Sequence, residues 1–156
     1  MDIVTINWAK GAIDYETLKT SKQSYLKKTG FYAMLMGIYN PALGKYENTK
    51  LLYIGQAYKQ TLGERILQPH NGYDCINNYI RKTPNAKLLT MVGVLAKTNI
   101  SKVTQELFDD IECCLIYHNQ PKCNEICKKS YSGRQLTIIN TGDFSPLKPA
   151  SDCKGS

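Results

Sequence analysis

Gly30-Phe31-Tyr32-Ala33-Met34-Leu35-Met36-Gly37-Ile38-Tyr39 and Lys50-Leu51-Leu52-Tyr53-Ile54-Gly55-Gln56-Ala57-Tyr58 are the two stretches on which the fold turns. Both are apolar and aromatic without helical spacing, and both are short, so both read as strands. Asn40-Pro41 stops the first, and residues 44–49 read as a polar loop. The pair is therefore a β-hairpin with a long connection.

Working outward, Thr61 is a good N-cap with Glu64 three residues on, which predicts a helix ended by Pro69. Asn71-Gly72 marks a turn, and residues 74–82 continue as helix. Residues 87–96 read as a third, central strand. Ser101 can cap a helix over about 103–118 whose apolar face is Val103, Leu107, Phe108, Ile111, Cys114 and Leu115, closed by Pro121. Residues 135–139 make a short late strand. Upstream, residues 12–28 read as a loosely amphipathic helix, or a helix with a break, on Ile13, Leu18, Tyr25 and Leu26. The order predicts an α+β fold, a small, mainly antiparallel three-stranded sheet with flanking helices. The expected boundaries are an N-terminal helical extension over 1–28, a domain over 29–142 and a flexible tail over 143–156.

The chain has 156 residues, enough for one domain with a real core. Charged residues are 21% and hydrophobic ones 42%, which excludes a disordered chain. No window approaches the ~18 apolar residues that a membrane span needs. The start, Met1-Asp2-Ile3-Val4-Thr5, lacks the basic and apolar regions of a secretory signal, so an intracellular, cytoplasmic protein is expected. The net charge is +7, yet residues 101–120 carry four acids (Glu106, Asp109, Asp110, Glu112) against one Lys, Lys102. A basic body with one acidic cluster suits a polyanion binder that also holds a cation. Six cysteines stand at 75, 113, 114, 123, 127 and 153. Without a signal segment, reduced thiols are the default. Cys114, His118, Cys123 and Cys127 could be forced into a zinc set, but there is no CxxC knuckle, and buried free thiols are the expectation.

Taken in order, Gly30-Phe31-Tyr32, Tyr53-Ile54-Gly55, Arg65, Glu112 and Asn124 resemble the GIY-YIG nuclease family. That family has a Gly-x-Tyr strand hairpinned to a Tyr-Ile-Gly strand, then an Arg-bearing helix, a Glu-bearing helix and a following Asn. The resemblance covers roughly residues 29–125, with a looser match at Asn140-Thr141-Gly142. Gly37-Ile38-Tyr39 spells the family name literally, but Asn40-Pro41 follows at once and leaves no strand to pair with the second motif. Starting at Gly30 leaves about ten residues, a full antiparallel partner. Tyr32 is then the motif tyrosine, opposite Gly55 and near Tyr53, and Tyr39 is a strand-end aromatic.

The resemblance implies a role for each residue. Glu112 lies at the edge of an apolar helix face, about 100° round from Ile111, and would be the sole protein ligand of Mg²⁺ or Mn²⁺. Arg65 would clamp the scissile phosphate with its planar fork of donors. Tyr32 would activate water, as a phenolate or through the metal-bound hydroxide. Tyr53 would orient water or phosphate. His70, five residues after Arg65 and past Pro69, would be an assisting base or a loop histidine. Asn124 would brace the site. Lys59, Arg81, Lys82, Lys128, Lys129 and Arg134 would contact DNA phosphates, which positions a duplex without reading it.

The function implied is a metal-dependent DNA endonuclease, restriction-like or associated with a mobile element. A dimer is one way for such a small chain to cut both strands. The alternative is a catalytically silent scaffold of the same fold that binds nucleic acid. A carboxylate beside an apolar stripe favours the first, since a binder has no need of it.

Overall fold

In the computed structural model, which describes residues 1–155, the chain runs β1 (Asp2–Trp8), β2 (Ile13–Asp14), β3 (Gly30–Asn40), β4 (Lys45–Ala57), α1 (Leu62–Ile66), α2 (Tyr73–Lys82), β5 (Ala86–Thr98), α3 (Gln105–Asn119), β6 (Leu136–Gly142) and β7 (Ala150–Cys153). The hairpin is longer than expected. β4 begins at Lys45, so most of the expected polar loop is strand and the connection is only residues 41–44. Gly30 pairs with Ala57, Tyr32 with Gly55 and Tyr39 with Tyr46. Tyr32 therefore lies at the Gly55 end, and Tyr39, 43% exposed, lies beside the turn.

The expectation of a three-stranded antiparallel sheet is wrong. Among the described residues the sheet has seven strands, in the order β4-β3-β5-β1-β6-β7 with β2 added beside β5. It is mixed, because β1 runs antiparallel to β5 but parallel to β6. The reason lies in residues 2–8, where Val4, Ile6 and Trp8 are buried in alternation while their neighbours are only half-buried. That period of two is a strand pattern, and it fills the gap between β5 and β6.

Residues 1–28 are correspondingly not a helical extension. After β1 they form two short 3-10 turns, Tyr15–Thr20 and Ser24–Lys27, that bury Leu18 and Leu26. Nor are residues 143–155 a loose tail, since β7 pairs with β6 and buries Ser151 and Cys153, and residue 156 of that expected tail lies outside the described residues.

The two faces of the sheet make two cores. β3 sends Phe31, Ala33 and Leu35 to one, where α3 supplies Leu107, Phe108, Ile111 and Leu115. It sends Tyr32, Met34 and Met36 to the other, where Leu62 and Ile66 of α1 and Ile76 of α2 pack. Each Leu, Ile, Phe or Met among them, fully buried, contributes ~1.5–3 kcal/mol. From Phe31 to Gly37, β3 is buried on both faces and paired on both edges, which is why its sequence runs apolar without alternation.

The cysteines are also not free. Cys75 is bonded to Cys123, Cys113 to Cys127 and Cys114 to Cys153. Among the described residues no helix is long and apolar enough to cross a membrane.

Candidate active site

The site forms at the Gly55 end of the hairpin, where the two helical layers approach one another around β4, the outermost strand on this side. Gly30 opens β3 there because a Cβ at this position would lie 2.1 Å from the Gly93 carbonyl oxygen of β5. Gly55 is required for a second reason. A Cβ on it would lie 2.4 Å from the Tyr32 hydroxyl, so the bare backbone is what lets that hydroxyl lie across β4. Tyr32 is fully buried, and among the described residues its hydroxyl has no hydrogen-bond partner. Burying an unpaired hydroxyl costs ~1–3 kcal/mol on mutational scales, which a purely structural tyrosine would avoid.

Tyr53 stands two residues before Gly55 on the same face, its ring 6.2 Å from that of Tyr32. α1 begins with the capping box expected of Thr61 and Glu64, and it carries Arg65 half-buried. α3 begins at the Thr104 cap rather than Ser101 and is held to the sheet by Phe108 stacked on Phe31 at 4.7 Å. One turn beyond Phe108 it carries Glu112. Tyr53, Gly55, Lys59, Arg65 and Glu112 line one open pocket of about 320 Å³. Larger grooves of 790 and 710 Å³ lie elsewhere, between the 3-10 turns and α1 and beside Trp8 and Tyr25.

The electrostatics follow from burial. The Glu112 carboxyl is pushed up to about 7, chiefly by burial and then by the Asp109 charge, against a smaller downward pull from Arg65. No ion pair engages it among the described residues. Burial raises the Tyr32 phenol well above its ordinary range, although Arg65 lowers it, and Tyr53 is raised for the same first reason. Tyr32 is thus a neutral hydroxyl at neutral pH, and the expected phenolate would need a cation beside it.

His70 lies sandwiched between rings, 4.4 Å from Tyr53 and 4.0 Å from Tyr73. Its pKa is lowered to about 4 by burial and then by Arg65, so the ring is neutral. Its Nδ1 accepts from the Gly72 N–H at 3.1 Å, which puts the proton on Nε2, a buried atom with no partner among the described residues. In this tautomer Nε2 donates, and an assisting base through that atom is not available.

Asn124 does not reach the pocket. Its Oδ1 accepts from Ile54 N at 2.9 Å and its Nδ2 donates to Ile54 O at 3.0 Å. Lys122 N and Cys123 N donate to Leu51 O and Leu52 O just before it. Residues 122–124 therefore close the outer edge of β4 as a strand would, and Asn124 braces the site by holding the Tyr53-Ile54-Gly55 backbone. Asn140, from the looser motif, accepts from the Trp8 indole at 2.9 Å and serves the fold.

Of the expected phosphate contacts, Lys59 lines the pocket. Arg81 and Lys82 are exposed at the end of α2, Lys129 is exposed and Lys128 is half-buried. Arg134 is committed elsewhere, with Nε 3.0 Å from Asp110 and Nη1 3.6 Å from Asp2. Sequence reasoning placed Tyr73 only among tyrosines interleaved with the basic residues; in the structure its hydroxyl donates to the Ile66 carbonyl and meets Tyr15, and its ring stacks on His70. Sequence reasoning missed Gln56 and Gln105, which both donate to Asp109 Oδ1, at 2.6 and 2.9 Å. Asp109, three residues before Glu112 on one helix face, was the available signal. Comparison of the chain with protein-family models, curated proteins and solved structures finds no match.

Proposed function

We propose that the chain is a metal-dependent endonuclease of the GIY-YIG type that hydrolyses phosphodiester bonds in DNA. The observation that carries this reading is the buried, unpartnered Tyr32 hydroxyl. It shares one site with Arg65, Tyr53 and a Glu112 carboxylate that has no ion-pair partner. A silent binding scaffold would have no use for either group.

The donor set fits Mg²⁺ or Mn²⁺. A hard ion often takes one or two carboxylates and keeps its waters, and Glu112 faces an open polar pocket. Glu112 would hold the ion, and when bound the ion supplies charge neutralisation and a more acidic water. Arg65 would grip the scissile phosphate in its fork. Tyr32 would hold the attacking water through its hydroxyl oxygen, Tyr53 would orient the same water, and the Nε2–H of His70 would donate to a phosphate oxygen. Lys59 would hold a flanking phosphate.

The three disulfides support an oxidising compartment rather than the cytoplasm expected from the sequence, since structural disulfides are rare where glutathione keeps thiols reduced.

The test is incubation with plasmid and branched DNA in Mg²⁺ or in EDTA, with wild type beside Glu112→Gln. Cleavage by wild type only in metal, and none by the variant, is the expected result. Salt-sensitive DNA binding with no cleavage of any DNA or RNA would leave the silent scaffold.

A further inference from the structure

α3 brings two metal-ligating side chains to one face away from the active site. Cys114 and His118 are four residues apart, one turn on the helix. Opposite them, β7 presents Cys153, paired in register with Leu136 of β6. The two sulfurs and one ring nitrogen of His118 lie within 4.8 Å of one another. The two sulfurs are bonded to one another here, whereas two thiolates on one tetrahedral zinc, at ~2.3 Å each, stand roughly 3.8 Å apart, so reduction must let them part. The Cα atoms of Cys114 and Cys153 are 5.9 Å apart, a spacing from which side-chain rotation alone can part the sulfurs that far.

The surroundings are those of a metal site as well. His118 Nε2 lies 2.7 Å from the Asp152 carbonyl oxygen. A carbonyl only accepts, so Nε2 carries the proton and Nδ1 keeps the lone pair. Ligating histidines almost always donate their other ring N–H in this way, which orients the ring and makes it more basic. Cys114 and Cys153 are buried in the core beside Leu115, Leu136 and Ile138, while His118 is half-buried. The other four cysteines form separate pairs, 75 with 123 and 113 with 127, and do not join this cluster.

We propose that Cys114, His118 and Cys153 form a zinc-class metal site whenever the Cys114–Cys153 disulfide is reduced. A dithiol reductant gives two electrons and two protons to the disulfide and becomes a disulfide itself, leaving two thiols on the chain. Zn²⁺ then replaces both thiol protons, which pass to solvent, and takes Nδ1 of His118. Water fills the fourth tetrahedral position. The tie between α3 and β7 is thus kept in both redox states, covalently in one and by coordination in the other. The inference is independent of the nuclease reading, because no residue of the pocket takes part.

The full chain is reduced with a phosphine, which does not compete for the metal, and titrated with Co²⁺ followed by Zn²⁺. One equivalent of Co²⁺ should bind with the visible bands of a tetrahedral site and a thiolate charge-transfer band, both lost on adding Zn²⁺. The oxidised chain should show neither band. Cys153→Ser should abolish them, and His118→Ala should weaken binding on the order of tenfold or more. Cys75→Ser with Cys123→Ser, and separately Cys113→Ser with Cys127→Ser, should leave both bands intact. His118 lies at the edge of the core, so His118→Ala reports even where a cysteine variant fails to fold. No tetrahedral band in the reduced wild type would overturn the proposal. So would unchanged affinity in His118→Ala, or loss of the bands in either paired serine variant.

Discussion

Replacing Glu112 by Gln should stabilise the metal-free protein at pH 8 while destroying its activity. The folded pKa of Glu112 is about 7 against an ordinary 4.5, so between these values the folded state holds a proton that the unfolded state has lost. Stability from this group is complete below 4.5 and falls as pH rises to 7. At 1.36 kcal/mol per unit the full shift amounts to ~3.4 kcal/mol, and for a half-buried group screened by solvent ~1–2 kcal/mol is the realistic share. His70 has the opposite sign. Its folded pKa is about 4 against 6.5, so the unfolded state binds the extra proton and stability rises with pH between 4 and 6.5. In wild type the two slopes oppose one another from 4.5 to 6.5 and the stability curve is nearly flat. Glu112→Gln should unmask the rise due to His70. The assay is urea denaturation in EDTA, with disulfides intact, at half-unit steps from pH 4 to 8. Wild type and variant should agree near pH 4.5 and diverge steadily to pH 7. Parallel curves over that range would refute the burial argument for Glu112 and weaken its assignment as a poised metal ligand.

Tyr32→Phe should remove cleavage yet leave stability unchanged or raise it by ~1 kcal/mol, since it deletes a buried hydroxyl that bonds to nothing in the protein. Tyr39→Phe should change neither rate nor urea midpoint, and if activity tracks Tyr39 instead, the motif assignment fails. Arg65→Ala should lower single-turnover cleavage by ~10³-fold. In the same variant the log–log salt slope of DNA binding should fall by about one unit, with equal loss of rate and affinity counting against the catalytic role. Asn124→Ala should cost ~2–4 kcal/mol in urea, because both Ile54 backbone groups lose their partner, and a midpoint within error of wild type would remove Asn124 as the brace of β4.

The hairpin was legible because both of its strands carry dense apolar and aromatic runs, the first stopped by Asn40-Pro41. Thr61 and Glu64 announced α1, and Leu107, Phe108, Ile111 and Leu115 announced α3. β1 was overlooked although Val4, Ile6 and Trp8 alternate, because the stretch holds only three buried side chains and its partners lie far along the chain. β7 has no such pattern, since Ala150-Ser151-Asp152-Cys153 becomes a strand through pairing with β6 and the bond from Cys153 to Cys114. Cysteine pairing is not deducible from spacing, since six cysteines allow about fifteen connectivities. The position of Glu112 was readable from helical periodicity. The edge-closing role of Asn124 was not, because it depends on a backbone 70 residues away in sequence.

The place of β1 has a consequence for how the chain is made. It is the first strand in chain order, yet Val4 pairs with Thr98 on one side and with Ile138 on the other. At ~5–20 residues per second, the ribosome delivers the second of these partners on the order of ten seconds after the first strand is built. For that interval Ile3-Val4-Thr5-Ile6-Asn7-Trp8, rich in β-branched and aromatic residues, has no completed place in the sheet. Such a segment is the kind that pairs with a neighbouring chain when left open. Yield on expression should therefore depend on chaperones or slow synthesis more than the stability of the finished sheet would suggest, and a chain stopped before residue 136 would keep that strand half-paired permanently.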